Sequence, residues 1–138
     1  MTQRIVPYLL YADVEAALEF LARAFGFQER LRYTGAAGYV NHAEMRLGGG
    51  VVFLGDPGDD YRNPKALGGE TVLMHVYVDD VDSHCERARA AGAEIVEEPA
   101  DQEYGERRYA AVDPEGHRWF FAQVLGDVAP EDWGAAVS

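Results

Sequence analysis

Apolar residues recur along this chain with two periods, one helical and one extended. In "VPYLLYADVEAALEFLARAFGF" (residues 6–27) a short strand gives way to a helix. Pro7 cannot donate to a sheet ladder, which confines it to an edge or a strand start. Asp13 suits an N-cap, and Val14, Leu18, Leu21 and Phe25 form one stripe opposite Glu15, Glu19 and Arg23. Strands follow in "YVNHAEMRL" and "GVVFL", joined by the turn Gly48–Gly50. A second strand-helix pair appears in "VLMHVYVDDVDSHCERARAAGAEIVEE". Two more strands, "RRYAAV" and "HRWFFAQ", are joined by "DPEG".

The two halves share more than element order. Asp13-Val14 maps onto Asp80-Val81, Gly49 onto Gly116 and Phe53 onto Phe120, always 67 positions on. This predicts an α+β fold of two paired βαβββ modules within a single domain over 1–138. The first module covers about 4–56 and the second about 71–124, with a linker at 57–70 and a tail at 125–138. A module of about 60 residues is near the lower limit for independent stability, so a shared core is expected, with helices on the convex faces. The concave faces would then enclose a pocket.

Strand parity separates the two faces. The helix side takes Leu9, Val52, Leu54, Met74, Val76, Val78, Trp119 and Phe121, none of them charged. The other side takes Val6, Tyr8, Leu10, Val51, Phe53, Leu73, His75, Tyr77, Arg118 and Phe120. Aromatic rings with polar tips suit a ligand cavity better than a dry core.

Composition narrows the classes. The chain has 138 residues, 48% of them hydrophobic, which fits a folded protein. Apolar runs such as "VVFL" fall far short of the ~20 residues that span a bilayer. The first residues lack the apolar core of a signal peptide, so a cytoplasmic protein is expected. A single cysteine, Cys85, excludes an internal disulfide or a multi-cysteine zinc site, and its place in the Val81, Cys85, Ala88 stripe suggests a buried thiol. The net charge of −12 disfavours nucleic acid and anionic membranes as partners, and favours cationic ligands. No Walker loop, dinucleotide fingerprint or HExxH motif is present.

The segments "VPYLLYADVEAALEFLARAFGF", "HAEMRLGGGVVFLGD", "VYVDDVD" and "YGERRYAAVDPEGHRWFFA" resemble the vicinal oxygen chelate superfamily over residues 5–124. That superfamily includes glyoxalase I, extradiol dioxygenases, and fosfomycin- and bleomycin-resistance proteins. In its metal-dependent members, His or Glu projects from the first and last strands of each module. The matching positions here are Val6, Phe53, Leu73 and Phe120. None has a lone pair to offer a divalent ion, so no metal or other cofactor is expected.

Tyr8, Phe53, Tyr77 and Phe120 would supply stacking area, and His75 and Arg118 orientation. "DQEYGERR" would form a rim, with Tyr104 stacking on a ligand and Arg107 pairing with its carboxylate. His75 and Glu44 are the candidate acid/base groups. Packing the apolar face of "NHAEMR" on the helix puts Glu44 in the cavity; strand parity in fosfomycin-resistance relatives puts Ala43 and Met45 there instead. His84 is expected on its helix surface. "GDPGDDYRNPKALGGE" reads either as a lid or as a plain linker, and Trp133 would anchor the tail on a partner subunit or leave it loose.

The reading that follows is a metal-independent binding protein for an aromatic or cationic, antibiotic-like small molecule. The resemblance implies a homodimer. The alternative is a glyoxalase-like lyase or isomerase, using His75 or Glu44 as acid/base or holding an atypical metal site.

Overall fold

The structure is a computed structural model and describes residues 3–138. Its strands form two four-stranded mixed sheets. The first contains β1 (Tyr8–Leu10), β2 (Gln28–Thr34), β3 (Val40–Leu47) and β4 (Gly50–Gly55), in the order β1-β4-β3-β2. The second contains β5 (Met74–Tyr77), β6 (Glu94–Gln102), β7 (Glu106–Val112) and β8 (Arg118–Val124), in the order β5-β8-β7-β6. In each sheet the first strand runs parallel to the fourth and the other pairs are antiparallel. Helix α1 (Val14–Phe20) follows β1 and widens into a π turn over Leu21–Phe25; α3 (Val81–Ala90) follows β5. This is the α+β arrangement of two βαβββ modules that the repeat implies.

The helix starts follow from local chemistry. The Asp13 carboxylate accepts the Ala16 N–H at 3.0 Å, and Asp80 accepts the Ser83 N–H at 3.2 Å, so each helix satisfies one of its orphan donors. Val14, Leu18, Leu21 and Phe25 are buried, as are Val81, Cys85 and Ala88, so the stripes read from the sequence face their sheets.

Two strands escaped assignment to particular residues. Every residue of β2 is exposed and every residue of β6 is exposed or half-buried, so neither carries the apolar alternation that marks a strand in sequence. Both are sheet edges, and both contain a bulge or register shift.

The repeat also shifts at one strand. Tyr8 pairs with Phe53 and His75 with Phe120, which keeps the 67-residue spacing in the parallel pairs. Glu44, however, lies opposite Phe53, while Ala110, only 66 positions on, lies opposite Phe120. The second hairpin holds one residue more between these partners, and β7 slides by one.

The chain contacts divide into two compact units. One runs to Glu70 and includes Pro114–His117; the other comprises Thr71–Asp113 and Arg118–Ser138. The turn 114–117, which sequence order assigns to the second module, thus packs with the first unit. The Glu115 carboxylate accepts the backbone N–H groups of Ala12 (2.5 Å) and Asp13 (3.0 Å) and the Asn63 side-chain amide (2.5 Å). Its own carbonyl accepts the Lys65 N–H at 3.1 Å. Gly116 has φ of 95°, and a Cβ there would press on the Lys65 backbone, so only glycine lets the turn seat this closely. His117 Nε2 donates to the Leu10 carbonyl at 2.8 Å. The same contacts fasten the middle of the Gly/Pro-rich connector, where Pro64–Leu67 forms the short helix α2 capped by Asn63.

Candidate functional site

Each sheet has one face covered by its own helix and one face without a helix, called here the open face. In the first unit Ala43 and Met45 are fully buried and β3 packs on α1. His42, Glu44 and Arg46 therefore project from the open face, together with Tyr8 and Phe53. Of the two arguments about this strand, helix packing prevails, because sending Met45 outward would expose a side chain that α1 needs as its floor.

A hydrogen-bonded chain crosses this face. The Tyr8 ring lies over Gly55, in the space a Cβ there would occupy, and its hydroxyl reaches His42 Nδ1 at 2.7 Å. His42 Nε2 lies 3.3 Å from Glu44 Oε2. A carboxylate can only accept, so Nε2 carries a proton; in the neutral imidazole Nδ1 then accepts and Tyr8 donates. Arg30 closes the chain, with Nη1 at 3.4 Å from Glu44 Oε1. Arg30 is the extra residue between the pairs Glu29–Met45 and Leu31–Glu44, and a bulge there re-aims its side chain. The Tyr8, His42 and Phe53 rings pack against one another with centroids 5.5–5.7 Å apart.

Beside this chain the same face holds a recess of about 490 Å³, lined by Val6, Arg30, Arg46, Gly48, Val51 and Phe53 among others. Gln3 forms part of its wall: the side-chain amide accepts the Val51 N–H at 2.8 Å and donates to the Val51 carbonyl at 3.0 Å.

The second open face gathers similar groups differently. The Tyr77 hydroxyl donates to Glu106 Oε2 at 2.8 Å, and His75 Nε2 lies 3.4 Å from Glu106 Oε1. The bond to Glu106 is the main reason the Tyr77 phenol titrates above its ordinary value, with desolvation and the Glu106 charge adding to it. Phe120 is only 9% exposed, because the Arg108 guanidinium sits over its ring at 4.6 Å. Arg108 also approaches Glu97 at 3.8 Å, and its buried Nε has no hydrogen-bond partner.

The residues named from sequence thus fall into separate groups. Tyr8, Glu44 and Phe53 come together on the first open face; His75, Tyr77, Arg118 and Phe120 share the second. Tyr104 meets Trp133 edge-on at 5.8 Å, which holds the tail to the second unit's own hairpin. Arg107 is placed elsewhere: it points to the α3 side, in ion pairs with Asp82 at 3.1 Å and Asp101 at 3.0 Å. His84 is not a surface residue, as expected from sequence, but half-buried beneath α3. Its Nδ1 is 2.6 Å from the Tyr109 hydroxyl and its ring packs on Phe121 at 4.3 Å. The helix turns His84 inward because Tyr109, buried with its phenol pushed upward mainly by desolvation, needs a polar partner.

Glu106 and Arg108 enter the sequence reading only as members of the rim "DQEYGERR", and Arg30 and Arg46 are given no site role there. The alternation His42, Glu44, Arg46 was a usable signal once the face was known. Arg30 had none, since its strand lacks apolar periodicity and its direction comes from a bulge.

The metal positions suggested by the resemblance do not fit a metal. Val6, Phe53, Leu73 and Phe120 present only hydrocarbon, which coordinates no divalent ion. Among the described residues, no group of three or more His, Cys, Asp or Glu side chains is placed to hold one. Nor, among those residues, is any helix long and apolar enough to cross a membrane.

Residues 4–121 match the family model for the glyoxalase/bleomycin resistance protein/dioxygenase superfamily. Uncharacterised proteins of Mycobacterium bovis and Mycobacterium tuberculosis are 36% identical over 137 residues, covering 96% of this chain and 90% and 81% of theirs. Among solved structures, TioX from Micromonospora is 39% identical, covers 90% of this chain and 100% of its own, and superposes with a TM-score of 0.75. A glyoxalase/bleomycin resistance protein/dioxygenase from Nocardioides, at 22% identity and a TM-score of 0.68, shares the fold over all of this chain and 92% of its own. With its two four-stranded sheets, its repeated strand-helix order and these relatives, the chain belongs to the glyoxalase/bleomycin resistance protein/dioxygenase superfamily.

Proposed function

We propose that this protein binds a small aromatic molecule without a metal ion, and that it works as a cytoplasmic homodimer. The observation that carries this reading is the replacement of all four expected metal-binding positions by Val6, Phe53, Leu73 and Phe120. The same positions that would hold an ion instead add hydrocarbon to faces bearing Tyr8, Tyr77 and polar tips. A recess of about 490 Å³ is within the range of sites that enclose drug-sized ligands, roughly 300–1,000 Å³.

A second reading, a metal-free lyase or isomerase, is favoured by the Tyr77–Glu106–His75 group and the Glu44 pair with His42. Carboxylate–histidine pairs beside an apolar surface are the equipment of general acid/base catalysis.

Native mass spectrometry of freshly purified protein, with thermal melts in Zn²⁺, Ni²⁺, Mn²⁺, Fe²⁺ and chelator, tests both readings. The expected result is a dimer free of stoichiometric metal, with a melting temperature indifferent to every addition. A tightly held transition metal at one per chain would overturn the binding reading. A co-purified compound released chemically altered, rather than intact, would favour the enzyme.

A further inference from the structure

We infer that the recess on the first unit's open face takes an anionic aromatic compound, its carboxylate or equivalent acid group held by Arg46 and Arg30. This inference rests on the small-molecule reading above and adds the sign of the ligand's charge.

The overall charge of −12 points toward cations, but the lining of the recess does not. It contains two arginines and no aspartate or glutamate. Screening confines a charge to a neighbourhood of about 8 Å at physiological salt, so carboxylates spread over the surface count little; Glu44 lies within that range, but it is already engaged by Arg30 and His42. Arg46 projects from β3 on the open face, between the strand pairs that bring Val51 to one side and Gln28 to the other. It is exposed and makes no ion pair or hydrogen bond among the described residues. Arg4 and Arg62 are also unengaged among the described residues, but neither lines the recess. Arg30 is engaged on one side only, at 3.4 Å from Glu44, and remains more than half exposed. A planar guanidinium has five N–H donors, so a contact of this kind leaves donors for a second carboxylate.

The remainder of the lining is suited to the other end of such a ligand. Phe53, Val6 and Val51 give an apolar floor beside the two cationic tips. Phe53 already packs edge-on against Tyr8 at 5.7 Å, which fixes its ring for a further aromatic contact. The recess thus offers charge at one end and hydrocarbon at the other, the pattern of an aromatic acid.

Three probes of one shape test this: 2-naphthoate, 2-naphthamide and 2-naphthylmethylammonium, titrated by calorimetry into the purified protein and into R46Q. The acid should bind about tenfold or more tighter than the amide and the ammonium, as expected for charge-assisted hydrogen bonds. R46Q should cut that preference severalfold, leaving the share that Arg30 supplies, and higher salt should shrink it further. A cation that binds as well as the acid, or a preference undiminished in R46Q, overturns the inference and leaves the binding reading standing. Failure of all three probes to bind overturns both.

Discussion

The two open faces use a Tyr, a His and a Glu each, yet wire them in opposite senses. In the first unit the order is linear: Tyr8 donates to His42, His42 to Glu44, and Glu44 pairs with Arg30. In the second, Tyr77 and His75 both converge on Glu106. A small residue makes each crossing possible. Tyr8 passes over Gly55 to reach β3, and Tyr77 lies beside Ala122, the residue 67 positions after Gly55, to reach β7. The one-residue slide of β7 then decides what is waiting. It places Arg108, rather than a His, where His42 would stand relative to Glu44, and puts Ala110 opposite Phe120. One scaffold thus gives a tyrosine backed by a nitrogen base on one face and a carboxylate gripped by two donors on the other.

The largest effects that would sharpen this comparison are on stability. Phe121 is fully buried on the helix side, so Phe121→Ala should cost about 3–5 kcal/mol. Phe120→Ala should cost less, since its ring is covered by Arg108 rather than by core, and Phe53→Ala, with a half-buried ring beside the recess, least of all. Denaturant melts of the three variants check the order. Equal losses for Phe53 and Phe121 would mean that the first open face is core and holds no recess.

A middle-sized effect isolates the crossing over Gly55. Gly55→Ala should cost about 1 kcal/mol or less, because the atoms in its way are the far end of the exposed Tyr8 side chain, but it should drive that ring off the strand. The His42 imidazole resonances should shift with it, because the Tyr8 bond is lost. Unchanged His42 resonances in a folded variant would show that the linear chain does not depend on this glycine.

The smallest effect concerns titration on the second face. Removing the Tyr77 proton would break its hydrogen bond to Glu106 and set a phenolate beside that carboxylate, which is why this phenol titrates high. The group is an acid whose folded value is raised, so its stabilising effect is fully present below the unfolded value of about 10. It is lost as pH rises through the raised value. Glu106→Gln should bring the Tyr77 transition, followed by NMR of the labelled ring carbon, back down toward that of an ordinary tyrosine. A transition that stays high would assign the shift to burial and remove Glu106 from the account.

Much of the fold was legible because its signals are local. The stripe through Val14, Leu18, Leu21 and Phe25 and the caps at Asp13 and Asp80 involve residues within a turn or two of one another, so sequence spacing alone reports them. The period of two in β8 puts Trp119 and Phe121 on one side and Phe120 on the other, whatever the strand packs against. The candidate site was legible only in part, for a physical reason: Tyr8 and His42 are 34 positions apart, and Tyr77 and Glu106 are 29 apart. Such contacts depend on strand register, and register depends on turn length and bulges.

What the sequence by itself determined was the repeated strand-helix order, the capped amphipathic helices, and the absence of metal donors at Val6, Phe53, Leu73 and Phe120. These are matters of residue type and short-range period. What only the tertiary structure decided was the outward face of His42, Glu44 and Arg46, the bulge that aims Arg30, the slide of β7, and the inward turn of His84. Each of these is chosen by which buried surface must be covered, and α1 needed Ala43 and Met45 beneath it. A period of two marks two faces in any strand, but only packing says which of them is left open to a ligand.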